Sequence, residues 1–131
     1  MLIEAPVSLG ELVDKISILE IKRINIRGAD KRLNVEHELR VLDEKLNASL
    51  SWEDKKRLMP LKDQLKGINE TLWRIEDEIR DCEREQRFDQ TFIELARSVY
   101  ITNDRRAAAK KTINLNFGSD LVEEKSYSDY Q

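Results

Sequence analysis

Between Tyr100 and Lys111 the chain places polar side chains where an apolar stripe is due. Phe92, Ala96, Val99, Asn103, Arg106, Lys110, Ile113 and Phe117 follow one another at steps of three or four, the rhythm of a single helix face. On an unbroken helix Asn103, Arg106 and Lys110 therefore point inward. An unpaired buried charge costs on the order of several kcal/mol, so these groups require acidic partners or a bound anion. A guanidinium is a planar fork that fits carboxylate or phosphate. The segment Asn103-Asp104-Arg105-Arg106, with Lys110, is thus a candidate site for a small anion. Asn103 and Arg106 would donate, Arg105 and Lys110 would add charge, and Asp104 would orient a guanidinium or act as a base. Two structural readings compete with it. Thr102, Asn103 and Asp104 are all capping types, and the helix can stop there and restart with Asp104 as cap. Alternatively the helix continues and its basic groups pair with acids of a neighbouring helix, for which Glu20, Glu36, Glu76 and Asp77 are available.

Other groupings point to less chemistry. In the run Trp73 to Asp81, Glu76 and Asp77 reach Arg80 at helical neighbour spacing, and Glu83 reaches Arg87, which describes a solvated face laced with ion pairs. Adjacent acids can hold magnesium, but Glu76-Asp77 followed by Asp81 only partly imitates the acidic spacing of helical pyrophosphohydrolases. His37 lies between Glu36 and Glu38, and neighbours on a helix diverge by about 100°, so these three cannot share a metal. A bundle di-iron site needs Glu three residues before His, and that residue is Asn34. No metal and no cofactor is expected. The glycines at 10, 28, 67 and 118 are isolated and form no phosphate loop. Trp52 and Trp73 read as amphipathic edges packed on the protein, with ligand stacking as the alternative. The single cysteine, Cys82, lies on an apolar seam as a buried thiol.

The elements that must position these groups are helical. Leu58, Leu61, Leu65, Ile68, Leu72, Ile75, Ile79 and Cys82 form a seam that only a helix docked against other helices can hide. Pro60 lacks an amide proton and clashes with the preceding turn, which predicts a short helix over 52–58, a kink or restart near Pro60, and helix three running on to about Arg84. Helix one opens at Ser8, with Glu11 at capping-box spacing and Val7 and Leu12 as a hydrophobic staple, and Gly28 ends it. It has one apolar face through Leu9, Leu12, Val13, Ile16, Leu19 and Ile24, and a second through Ile18, Ile21 and Ile26. Helix two starts at Asp30 and ends over Asn47-Ala48-Ser49, Ser51 caps the next helix, and Asp89 caps helix four, with Phe88 and Ile93 at staple spacing. Together these predict an all-α antiparallel bundle of about four helices over 1–118, followed by a polar tail, 119–131, that is mobile or straps across the bundle.

Composition fits. Charged residues are 37% of the chain, against about 25% in ordinary domains, as expected of long helices with wide solvated faces. Basic and acidic residues, 23 and 26 for a net −3, are interleaved, without the basic stripe of a nucleic-acid binder. No apolar stretch approaches the roughly 20 residues of a membrane span. The amino terminus lacks the pattern of a secretion signal, so cytoplasmic residence is the default expectation.

Several runs resemble a family of uncharacterised small proteins of bacteria and some phages. They are Pro6-Val7-Ser8-Leu9-Gly10-Glu11-Leu12-Val13-Asp14-Lys15-Ile16, Leu72-Trp73 through Arg80, Phe88-Asp89 through Phe92-Ile93, Leu95-Ala96-Arg97, Asn103-Asp104-Arg105-Arg106-Ala107 and Glu123-Glu124-Lys125-Ser126-Tyr127. The resemblance implies no activity. Leu9 through Ile21, followed by Lys22-Arg23, also resembles the first helix of the all-helical chorismate mutases, but Val13 stands where that family has an arginine, and its later Arg-Glu pair has no clear counterpart. The first expectation for function is a protein-interaction or scaffold module that self-associates or binds another protein through Ile18 and Ile21; no catalytic motif is identified, which favours a non-enzyme and leaves the question open. The alternative is a small anion-binding or catalytic bundle built on the 103–110 segment.

Overall fold

The computed structural model describes Met1–Gln131 as four α-helices without strands. They are α1 (Leu9–Asn25), α2 (Ala29–Ser49), α3 (Trp52–Arg84) and α4 (Gln90–Asn116). Three starts follow from capping chemistry. The side-chain oxygens of Ser8, Ser51 and Asp89 accept from the amides of Glu11, Asp54 and Phe92. The box at Ser8 is only half closed, because the Glu11 carboxylate turns to Lys110 of α4 instead. Gly28 does not end α1, which stops at Asn25; it stands before α2 with φ +104° and displaces Asp30 into the first turn. Gly118, at φ +62°, closes α4, and the Ser119 amide reaches back to the Asn114 carbonyl at 2.9 Å.

Pro60 does not divide α3. The helix runs unbroken through it, so the separate helix over 52–58 is not formed. Pro60 is exposed, while Leu58 and Leu65 on either side of it are buried against the same core. Packing of that face outweighs the one backbone hydrogen bond that proline removes. The staples are also absent: Val7, Phe88 and Ile93 are exposed, and Phe88 packs edge-on against Phe92.

Helix α1 is the hub. It lies against all three other helices, and α2 packs on it alone. α3 and α4 form a long antiparallel hairpin, with Arg57 of α3 reaching the Asn116 carbonyl at one end and residues 85–89 joining them at the other. Leu12, Val13, Ile16 and Leu19 of α1 meet Val35, Leu39 and Leu46 of α2, Leu58 and Leu65 of α3, and Ile113 of α4. Fully burying each large aliphatic side chain contributes roughly 1.5–3 kcal/mol, so this cluster sets the architecture. Beyond it the α3 seam stays covered at Ile68, Leu72, Ile75 and Cys82. The tail has no helix but is not detached: it runs back along α4, and Glu123 and Tyr130 touch Lys110 and Asp104. No helix is long and apolar enough to cross a membrane.

Candidate functional site

The polar centre begins on α1, at Gly10, Asp14 and Ser17, which share one face at steps of four and three. All three are buried. Gly10 lies so close to α4 that a Cβ would come within 2.5 Å of the Lys110 carbonyl. Its amide, one of the unpaired donors of the first turn, donates to Asn114 Oδ1 at 2.7 Å. This contact seats the start of α1 on the end of α4 and brings Asp14 opposite Arg106.

Asp14 is the focus, its side chain only 1% exposed. Oδ1 accepts from Arg106 Nε at 3.0 Å and from Asn69 Nδ2 at 2.9 Å. Oδ2 accepts from Arg106 Nη2, which completes a two-pronged pair. Asn69 Nδ2 also donates to Ser17 Oγ at 2.8 Å, and that hydroxyl donates to the Asp14 carbonyl at 2.8 Å. Lys110 Nζ lies 4.0 Å from Asp14 Oδ2, 2.6 Å from Glu11 Oε2 and 2.7 Å from Glu123 Oε2. The hydrogen bonds to Asp14 raise Arg106 above the usual arginine range, against its partial burial. Burial works against the charge of Lys110, but the hydrogen bonds it donates to Glu11 and Glu123 outweigh it and the ammonium titrates above its ordinary 10.5. Lys110 in turn holds the Glu123 carboxyl below its ordinary 4.5.

The helix does not break at 102–104. It continues, and Arg106 and Lys110 turn inward as the stripe requires. Their acid partners are Asp14, Glu11 and Glu123, not the four acids that sequence spacing offered. Glu20 pairs with Lys62 and Lys66, Glu76 with Arg80, Glu36 makes no ion pair, and Asp77 stays unpaired. Asp104 and Arg105 lie roughly 100° and 200° from Asn103 around the helix and are exposed. Asp104 accepts from the Tyr130 hydroxyl at 2.6 Å and takes no part in the Arg106 network. Asp14, Ser17 and Asn69 were missed. The available signal was the small and polar stripe Gly10-Asp14-Ser17 between the two apolar faces of α1.

Arg106 separates two clefts. One, of about 460 Å³, lies between α1, α3 and α4, with Ile18, Leu72 and Trp73 as its apolar wall and Asn69, Glu76, Asp77, Arg80, Asn103 and Arg106 as its polar wall. The other, of about 250 Å³, is bounded by Glu11, Asn103, Arg106, Lys110, Glu123 and Lys125. Two of the three guanidinium nitrogens of Arg106 are held by Asp14, which leaves Nη1. Asn103, half-buried, makes no side-chain hydrogen bond. Ile18 belongs to the wall of the larger cleft, and Ile21 is 3% exposed, buried within the chain itself.

Fold and site define an all-α protein whose hub helix carries a buried carboxylate locked to an inward-facing arginine. The chain belongs to a family of unknown function, DUF6165, whose model matches residues 3–130. No curated protein and no solved structure matches the chain.

Proposed function

We propose that this protein is a ligand-binding helical bundle, and that the cleft between α1, α3 and α4 takes a small organic monocarboxylate. The observation that carries the reading is the state of Arg106. Asp14 fixes its Nε and Nη2 and leaves Nη1 without a partner, and Asn103, whose amide is unengaged, lines the same cleft. A guanidinium already immobilised by the protein loses little side-chain freedom on binding, and that favours affinity. The apolar wall of Ile18, Leu72 and Trp73 suits a hydrocarbon body. Glu76 and Asp77 in the lining of the same cleft disfavour multiply charged anions such as polyphosphates.

Thermal stabilisation by 3-phenylpropanoate, with inorganic phosphate and ATP for comparison, tests this reading. At tenfold excess over Kd a bound ligand stabilises by about 1.4 kcal/mol, worth roughly 3–6 °C in Tm for a domain of this size. The shift should be small with phosphate and ATP and lost in Asn103→Ala, a variant that breaks no hydrogen bond of the fold. No shift with the phenyl carboxylate, or an equal shift in Asn103→Ala, refutes it.

A second reading, self-association, draws support from Ile24 and Leu33, large apolar residues 76% and 63% exposed. Ile21→Asp would unfold the chain rather than dissociate it, so the informative change is Ile24→Asp. An unchanged mass by light scattering would count against this reading.

A further inference from the structure

The same cleft carries a second kind of recognition, and the inference rests on the reading of Arg106 and Asn103 given above. On its polar wall most groups are already matched. Asn69 donates to Asp14 and Ser17, Arg80 is paired with Glu76, and Arg106 is neutralised by Asp14. What remains is one full negative charge, Asp77, which has no ion pair in the chain, and the half-buried ring of Trp73, four residues earlier on α3. Residues at i and i+4 of a helix are neighbours on one face. A carboxylate beside the face of an indole is a combination that holds an ammonium group, by ion pairing and by attraction of the cation to the ring.

We infer that the ligand is a small zwitterion with an apolar body, of the α-amino acid type: its carboxylate on Arg106 and Asn103, its ammonium at Asp77 and Trp73, its side chain against Ile18 and Leu72. Charge balance supports the assignment. A monoanion alone would leave Asp77 unmatched and a cation alone would leave the Arg106 and Asn103 donors unused, whereas a zwitterion satisfies both and adds no net charge. Bodies of aromatic amino-acid size fit within the 460 Å³ available.

The chain supplies its own reporter. Trp52 and Trp73 are its two tryptophans, and only Trp73 lines the cleft. In a Trp52→Phe background, Trp73 emission is titrated with three probes of matched body: L-phenylalanine, 3-phenylpropanoate and phenethylamine. The expected result is that phenylalanine binds tightest, about fivefold or more ahead of either singly charged probe. Asp77→Asn, which removes only the charge of an exposed side chain without ion-pair partners, should weaken phenylalanine to the level of 3-phenylpropanoate and leave 3-phenylpropanoate itself unchanged. If 3-phenylpropanoate binds as tightly as phenylalanine and remains sensitive to Asn103→Ala, the zwitterion inference is overturned and the carboxylate reading stands. If none of the three perturbs Trp73, both fall. Equal loss of phenylalanine and 3-phenylpropanoate in Asp77→Asn would also overturn the inference, since it would show Asp77 acting on the cleft as a whole and not on an ammonium.

Discussion

Asp14 and Arg106 illustrate why a polar pair persists at the centre of a helical protein. Two ions removed from water lose several kcal/mol of hydration each, and their mutual attraction compensates only where the remaining lone pairs and protons are also satisfied. Here they are: Asp14 accepts from Arg106 and Asn69, and Ser17 closes the ring of hydrogen bonds. Removing one partner is therefore far worse than removing both. Asp14→Asn should cost about 3–5 kcal/mol, read as a lower urea midpoint, because Arg106 is left without its counter-charge beside Lys110. The double variant Asp14→Asn, Arg106→Leu should recover part of that loss. Additive costs for the two changes would show that they do not act as a pair. Half of this pair was readable beforehand. The periodic stripe put Arg106 and Lys110 inward and demanded counter-charge, but Asp14 sits one position from Val13 and Lys15 in a helix that looked apolar on two sides. Which of 26 acidic residues supplied the charge depended on the close approach at Gly10, a tertiary fact that periodicity does not contain.

At the scale of elements, capping chemistry located the starts of α1, α3 and α4 to the residue, since a short side chain that accepts from the third amide is a local device. The restart expected at Pro60 did not form, for the same reason. Locally Pro60 is a breaker, but the packing of Leu58 and Leu65 is not local, and it carried the helix across. The α3 backbone nevertheless lacks one hydrogen bond, to the Lys56 carbonyl, at an exposed position in the helix interior. Alanine restores that bond at the expense of a freer unfolded chain, which offsets about 0.4–1 kcal/mol of the gain. With the interior cost of proline near 3 kcal/mol, Pro60→Ala should stabilise by roughly 2–2.5 kcal/mol. A reduced Tm in this variant would mean that the helix needs the bend or rigidity proline imposes.

For the molecule as a whole, the bundle and its tail are held by different forces and should separate with pH. The helices meet chiefly through apolar burial, which hardly responds to protons, around the Asp14–Arg106 pair. The tail runs along α4 on three polar contacts, Glu123 with Lys110, the exposed Glu124 with Lys111, and Tyr130 with Asp104, and an edge-on packing of Tyr130 against Tyr100 at 5.2 Å between ring centres. Lys110 depresses the Glu123 carboxyl, so this contact is complete above the ordinary glutamate value of 4.5 and is lost as pH falls through the lower folded value. Lys110 and Tyr130 are both raised, the latter chiefly by its hydrogen bond to Asp104, so their contributions are complete below 10.5 and 10.0 and vanish as pH rises through the higher folded values. Asp43 runs against the acid limb. Burial pushes its carboxyl up, with Lys62 opposing, so its protonation favours the folded bundle as pH falls. A global melting curve mixes these effects, and the measurement must be local: backbone 15N relaxation of residues 123–130 between pH 3 and 11. The tail should be ordered across neutrality, loosen at both extremes while α1–α4 stay folded, and in Glu123→Gln lose the acid limb alone. Contacts with one exposed partner, such as Glu123 or Tyr130, are each worth on the order of 1 kcal/mol, so release should be gradual rather than abrupt. A tail equally ordered at pH 3 and pH 7 would place its attachment elsewhere than on Lys110.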